Sequence, residues 1–300
     1  MQIATILNFL KNNKYKMTFF GNEQVEVRNY CSLNNLQNNS ITWIKSKSNI
    51  MPQIEESLVN YEGILFVVGD EKLVNKRQNY IVVDNPKAVF FKILSHFFKI
   101  DYKTGISEDS VVETVQIGKN VFIGHHCYIH QEVEIAEGVR IENNVSIDAP
   151  CKIGKNTIIH SGVVIGTDGF GYYQEDGLNK KVPHFGGVII GEDVEIGANT
   201  CIDRGTMDDT IISNNVKIDN LCHIGHNVFI AENSMLIAGS VLGGSCCIEK
   251  DSYIGMGGIV RNQIIIAENT MVGMGAVVTK TTEKNKVVAG VPAKALYDNI

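Results

Sequence analysis

Eight histidines and seven cysteines are the side chains of this 300-residue chain best suited to chemistry at neutral pH. A neutral imidazole can take the proton from an amine that must attack a carbonyl. Such an attack leaves a tetrahedral oxyanion, which needs backbone N–H donors held ready for it. His226 stands in the run VKIDNLCHIGHNV, and Gly244 follows it by one full coil of the repeat described below, so its N–H is a candidate donor. By residue type alone, His226 is an exposed corner residue like many others. His125 and His130 have a spacing that could bring two imidazoles to one metal, but zinc catalysis needs three ligands. The best third candidate, His160, falls on a different face of the scaffold. The cysteines are odd in number and contain no Cys-x-x-Cys pair, so they read as small buried fillers.

The elements that must position these groups follow from a repeat. Isoleucine recurs at every sixth position from Ile117 to Ile165, and the series resumes at Ile190, Ile196 and Ile202. After a slip within DRGTMDDT it continues from Ile212 to Val278, giving twenty-four hexads, or eight coils at three hexads per coil. One large aliphatic side chain per hexad points into a triangular prism. The residue two before it also points inward and must be small or β-branched, as in Val115, Val121, Cys127, Val133, Val139, Val145, Cys151, Thr157 and Val163. Glycine often follows the aliphatic residue (Gly118, Gly124, Gly154, Gly166), where a tight corner favours positive φ. The expected fold is mainly β, a left-handed parallel β-helix rising about 4.8 Å per coil. Loops that break such a rule are where function concentrates. They lie at 166–185, within GTDGFGYYQEDGLNKKVPHF, and at the bulge within DRGTMDDT.

Residues 1–104 lack the hexad and form a small α/β domain, to which the family resemblance given below assigns nucleotide binding. NYEGILFVVGD and QNYIVVDNP read as strands, and PKAVFFKILSHFF reads as a helix opened by Pro86. Residues 105–278 are the β-helix, and 279–300 are a short C-terminal tail, a loop closed by one turn of helix. A net charge of −6 without a basic block argues against a nucleic-acid surface. The apolar runs are too short to span a bilayer, and the lysines near the start follow the apolar residues, so a cytoplasmic protein is expected. Outward bulk at Phe122, Tyr128 and Phe229 suits closure into a homotrimer.

The block GTDGFGYY…GGVIIGEDVEIGANTCIDRGTMDDTII…VKIDNLCHIGHNV closely resembles the UDP-3-O-acylglucosamine N-acyltransferases of the lipid A pathway. The similarity extends through SITWIKSKSN and IVVDNPKAVFFKIL. That family is homotrimeric, with active sites between neighbouring prisms, and moves an acyl group from a carrier-protein thioester to the 2-amino group of a UDP-sugar. The resemblance implies that His226 is the base, Asn227 its neighbour at the substrate, and Asp219 a nearby carboxylate. It matches Gly244 to the oxyanion donor. Asp168 and Phe170, inside GTDGFGYY, are expected at the substrate.

The family's second functional histidine falls on Gln263, and its aromatic pair that clasps uracil reads Trp43 and Asn49. Met256 and Met274, one coil apart, are read either as the wall of an acyl or pantetheine groove or as packing at the trimer interface. The family's long C-terminal helices have no counterpart, and the ending AGVPAKAL looks like that of coenzyme-A-dependent acetyltransferases. Acyl-CoA is therefore the expected donor, with Lys280, Lys284, Lys286 and Lys294 at its phosphates, Lys294 foremost. The alternatives are the carrier-protein donor and, in another class, a γ-carbonic-anhydrase-like metal protein. No permanently bound cofactor is expected.

Overall fold

The computed structural model describes residues 1–44, 58–75, 77–99 and 102–298. They fall into two compact units, Met1–Tyr102 and Lys103–Ile300.

Among the described residues the first unit has a five-stranded sheet and two α-helices. Its helices are α1 (Ile3–Asn12) and α2 (Pro86–Phe97); its strands are β1 (Thr18–Phe20), β2 (Asn29–Tyr30), β3 (Ser40–Ile44), β4 (Leu65–Val68) and β5 (Asn79–Val82). The order is β1-β5-β4-β3-β2, parallel except for β1. Leu65, Phe66, Val67 and Val68 are all fully buried because both sides of the sheet are covered. Leu65 and Val67 pack with Ile3, Ile6, Leu10 and Ile93 of the helices, while Phe66 and Val68 pack on the other side with Ile44 and Tyr80. At the start of α2 the Asn85 side chain accepts the Ala88 N–H at 3.1 Å, ahead of Pro86 at the first helical position.

The second unit is the left-handed parallel β-helix. Its three faces are ladders of two- to five-residue strands: a first face through Phe122–Ile123 and Lys217–Ile218, a second through Ser146–Ile147 and His223–Ile224, and a third through Val133–Ile135 and Phe229–Ile230. In the regular coils each residue pairs with the one three hexads further on, as in Ile224 with Leu242. The hexad aliphatics form one continuous core. The helix begins a coil earlier than the hexad count indicates: Ile106 pairs beside Ile123 and Val112 beside Ile129, each one position short of a full coil. That shortened coil shifts the inward position, so Thr114 is buried and bonded to the Val133 carbonyl while Val115 stands 93% exposed. Inward placement of Val115 was therefore wrong. The other eight small inward positions, Val121 to Val163, are all buried.

Of the four corner glycines, Gly166 alone has the expected positive φ, at 92°. Gly118, Gly124 and Gly154 are not at positive φ; a Cβ on Gly118 would lie 2.5 Å from the Glu137 nitrogen of the next coil. Close approach between coils excludes the side chain there. Positive φ falls two residues later, at Asn120, His126, Asn144, Asn156 and Asn227, where asparagine tolerates the left-handed region. The tail is not helical: Lys286–Ala289 joins the first face and turns back as Lys294–Asp298 in an antiparallel hairpin. Val287 and Val288 are both buried, and Val288 extends the prism core by one more rung.

Candidate active site

Both breaks in the hexad rule come together on the second face. The strand Val164–Asp168 overruns its corner and pairs with Cys201–Arg204, placing Thr167 beside Asp203 and Asp168 beside Arg204. Beyond Asp168 the loop forms a hairpin, Tyr172–Glu175 against Leu178–Lys181. It returns over the bulge, where the Phe185 N–H donates to the Thr206 carbonyl at 2.7 Å and the Asp209 carboxylate accepts the Gly187 N–H at 2.6 Å. Gly205 is required in this bulge, since a Cβ there would lie 1.6 Å from the Asp208 carbonyl oxygen.

His226 stands at the corner between the second and third faces, where loop and bulge meet. Its Nδ1 lies 3.0 Å from the Asn227 Oδ1. That oxygen also accepts the Thr206 N–H and hydroxyl, each at 3.0 Å, while the Asn227 Nδ2 donates to the Asp208 carbonyl at 2.9 Å. The amide orientation is thus set by backbone groups, so Asn227 can only accept from His226. The neutral imidazole therefore carries its proton on Nδ1 and leaves the Nε2 lone pair free. Gly244 lies against that nitrogen: a Cβ on Gly244 would be 2.7 Å from Nε2. The Gly244 N–H donates to no group among the described residues. Gly169, from the loop, closes on the other side of the ring, where its Cβ would lie 2.6 Å from Cδ2.

Three residues that sequence reasoning missed, Thr206, His184 and Asp203, complete the cluster. His184 is 7% exposed; its ring lies edge-to-face with His226 at 5.5 Å, its Nδ1 donates to the Val182 carbonyl, and its buried Nε2 has no partner among the described residues. Asp203, 8% exposed, receives the Thr167 hydroxyl at 3.4 Å and faces His223 Nε2 at 3.8 Å. Burial pushes its carboxyl above the usual carboxylate range, opposed by the fields of His223, His226 and His184 and by the Thr167 hydrogen bond. The signal for all three was their position inside or beside the two interruptions.

The remaining expected residues separate. Asn227, Gly244 and Gln263 share the His226 corner, and the Gln263 N–H donates to the Gly244 carbonyl at 3.1 Å. Asp219 lies one corner away, because the step from it to His226 is one hexad plus one position. Its carboxylate accepts the Asn220 and Ala238 N–H groups and lines a separate cavity of about 540 Å³ with His160, Glu195 and Met235. Within one chain Asp219 therefore does not orient His226. Met256 and Met274 stack above Asn220 at that same corner, exposed by 53% and 77%. Asp168 is exposed, and Phe170 leans on Tyr172 with its ring 4.9 Å away.

In the small unit Trp43 is half-buried against the helix-side core and lines a cavity of about 670 Å³ with Tyr30, Phe90 and Phe91. Asn49 lies outside the described residues. Lys294 is exposed on the terminal hairpin beside Lys280, but Lys286 is bound to Asp298 and Lys284 to Glu268, so the four lysines do not form one free cationic patch. Among the described residues no three histidine, cysteine or acidic side chains converge as a metal site, and no helix is long and apolar enough to cross a membrane.

A family model described as bacterial transferase hexapeptide (six repeats) matches residues 114–149 and 132–167. The chain is 38% identical over 198 residues to a Coxiella burnetii UDP-3-O-acylglucosamine N-acyltransferase, covering 59% of this chain and 58% of that protein. A Legionella pneumophila UDP-3-O-acylglucosamine N-acyltransferase 2 is 55% identical over 93 residues, 31% of this chain and 27% of its own. The matches thus span less than two thirds of these relatives' length. Among solved structures, UDP-N-acetylglucosamine acyltransferases from Francisella novicida (25% identity, TM-score 0.59, 65% of this chain and 71% of that one) and Campylobacter jejuni (20%, 0.59, 65% and 75%) share the fold.

Proposed function

We propose that the chain transfers an acyl group from a thioester to the amino group of a UDP-linked 3-O-acyl amino sugar. The observation that carries this reading is His226: a neutral imidazole held with Nε2 free beside Gly244, whose backbone N–H has no partner among the described residues. The acceptor's ammonium gives one proton to Nε2, and the amine lone pair attacks the thioester carbonyl carbon. The C–N bond forms as the carbonyl becomes an oxyanion, stabilised by the Gly244 N–H. Collapse breaks the C–S bond, and the departing sulfur leaves as a thiol with the second amine proton. The products are an amide, a thiol and one proton released from His226.

The named relatives and the pairing of Lys284 and Lys286 favour the carrier-protein thioester over the acyl-CoA anticipated from the chain's ending. Trp43 would hold the base in the small unit's cavity, and Met256 and Met274 would line an acyl path. The working form in this reading is a homotrimer. Kinetics with matched acyl-CoA and acyl-carrier thioesters test the donor. A carrier-protein thioester used about a hundredfold more efficiently supports this reading, and the reverse preference restores coenzyme A. Absence of amide product with both donors would end the proposal.

A further inference from the structure

Around His226 the hydrogen-bond acceptors outnumber the free donors. His226 presents a bare Nε2, His184 a second bare Nε2, and Asp203 a nearly buried carboxylate whose one donor, Thr167, is long at 3.4 Å. The nearby cations each bond a backbone carbonyl and make no ion pair with Asp203 among the described residues: Arg204 Nε donates to the Gly186 carbonyl at 2.6 Å and Lys181 Nζ to the Gly169 carbonyl at 2.7 Å. Asp209 is occupied by the Gly187 N–H, and Asp168 stands exposed on its strand. Asp203 is thus the one nearly buried carboxylate beside three imidazoles. His223 Nε2 faces that carboxylate at 3.8 Å, beyond hydrogen-bond distance, so the site suits a group that brings its own close donors and a positive charge.

The geometry points to Asp203 as the residue that receives the acceptor's ammonium and makes the site choose an amine over a hydroxyl. This rests on the N-acyl-transfer reading and deepens it. An ammonium carries three donors and a charge, whereas a hydroxyl brings one donor and none. Charge-assisted bonds from ammonium to carboxylate are about twice as strong as neutral ones. The one expected here corresponds to about a 10- to 100-fold preference. Asp203 would hold the nitrogen while His226 Nε2 takes its proton, and the unpartnered His184 Nε2 adds a further acceptor at the rim.

The test is binding of a UDP-linked 2-amino sugar and its 2-hydroxy counterpart to the full chain without acyl donor. The wild type should prefer the amine at least about tenfold, and Asp203→Asn should bring the two within about threefold while the hydroxyl compound binds as before. An Asp203→Asn protein that keeps the preference overturns the inference. So does a wild type that binds both compounds equally, which needs no variant to fold. If the wild type makes no amide with any thioester, the broader reading fails as well. If it makes amide and Asp203→Asn stays selective, only the assignment of Asp203 fails.

Discussion

At the residue scale, the His226–Asn227 pair joins a structural need to a chemical one. Asn227 occupies the left-handed corner at φ 59°, and the same side chain fixes the imidazole tautomer through the bulge backbone. His226→Ala should lower turnover by about 10²–10⁴-fold, the usual worth of a positioned base, with an unchanged melting temperature because the corner lies outside the prism core. Turnover near that of the wild type in a folded His226→Ala protein would remove it as the base. Cysteine behaviour follows from burial. Cys151 is pushed far up and Cys246 up to about 12 by desolvation, so neither should react with a thiol reagent at neutral pH until the chain unfolds. Partly exposed Cys201 should react in the native state, and Cys247, whose thiol burial also pushes up, more slowly; labelling followed by mass spectrometry distinguishes them from the buried pair.

At the element scale, the bulge and the loop act as one support for the site. Gly205→Ala would force a Cβ into the Asp208 carbonyl and move the groups that hold Asn227. Activity should fall by at least about tenfold, since small displacements of a catalytic group are costly. The melting temperature should drop only modestly, because the hexad core is untouched; a fully active Gly205→Ala protein would show that the bulge does not set the tautomer. The first coil gives a pH prediction. Asp109 takes the Ser107 hydroxyl at 2.6 Å and faces His125 and His126, which holds its carboxyl down at about 2. Its folded pKa is below the unfolded one, so its stabilising effect is present above about pH 4 and is lost as the pH falls toward 2. Acid unfolding of Asp109→Asn should therefore differ from wild type at neutral pH and converge with it near pH 2.

At the scale of the whole molecule, the two units make separate contributions. Trp43→Ala should raise the KM for the nucleotide sugar with kcat little changed, the mark of lost uniform binding. An unchanged KM would place the base elsewhere. The outer surface of the prism bears on assembly. Phe122 is capped by the Arg140 guanidinium at 4.9 Å and the Tyr128 hydroxyl donates to Glu113, so two of the three bulky residues are already partly covered. Phe229, Met235, Ile259 and Ile265 remain about 40% exposed. Closed packing of three prisms would bury such surface, and light scattering at micromolar concentration should return a trimer mass. A monomer mass would defeat this.

The coil, its core and the two places where it breaks were legible in the sequence, because a strict hexad period leaves each inward position only one kind of side chain. The period even locates Gly244 over His226, since three hexads make one turn. It could not show the short first coil that exposes Val115, because a single missing residue leaves the apolar letters looking regular. Nor could it assign the glycines their reason: only three-dimensional stacking shows that Gly118 yields to the next coil while Asn120 takes the turn. The family resemblance implies that Asp219 is a near neighbour of His226, yet within one chain the prism turns each hexad to a new corner and separates them. His184 reaches the imidazole and Thr167 reaches Asp203 only because the long loop folds back on the second face, and a period has no power to predict where its own interruptions meet.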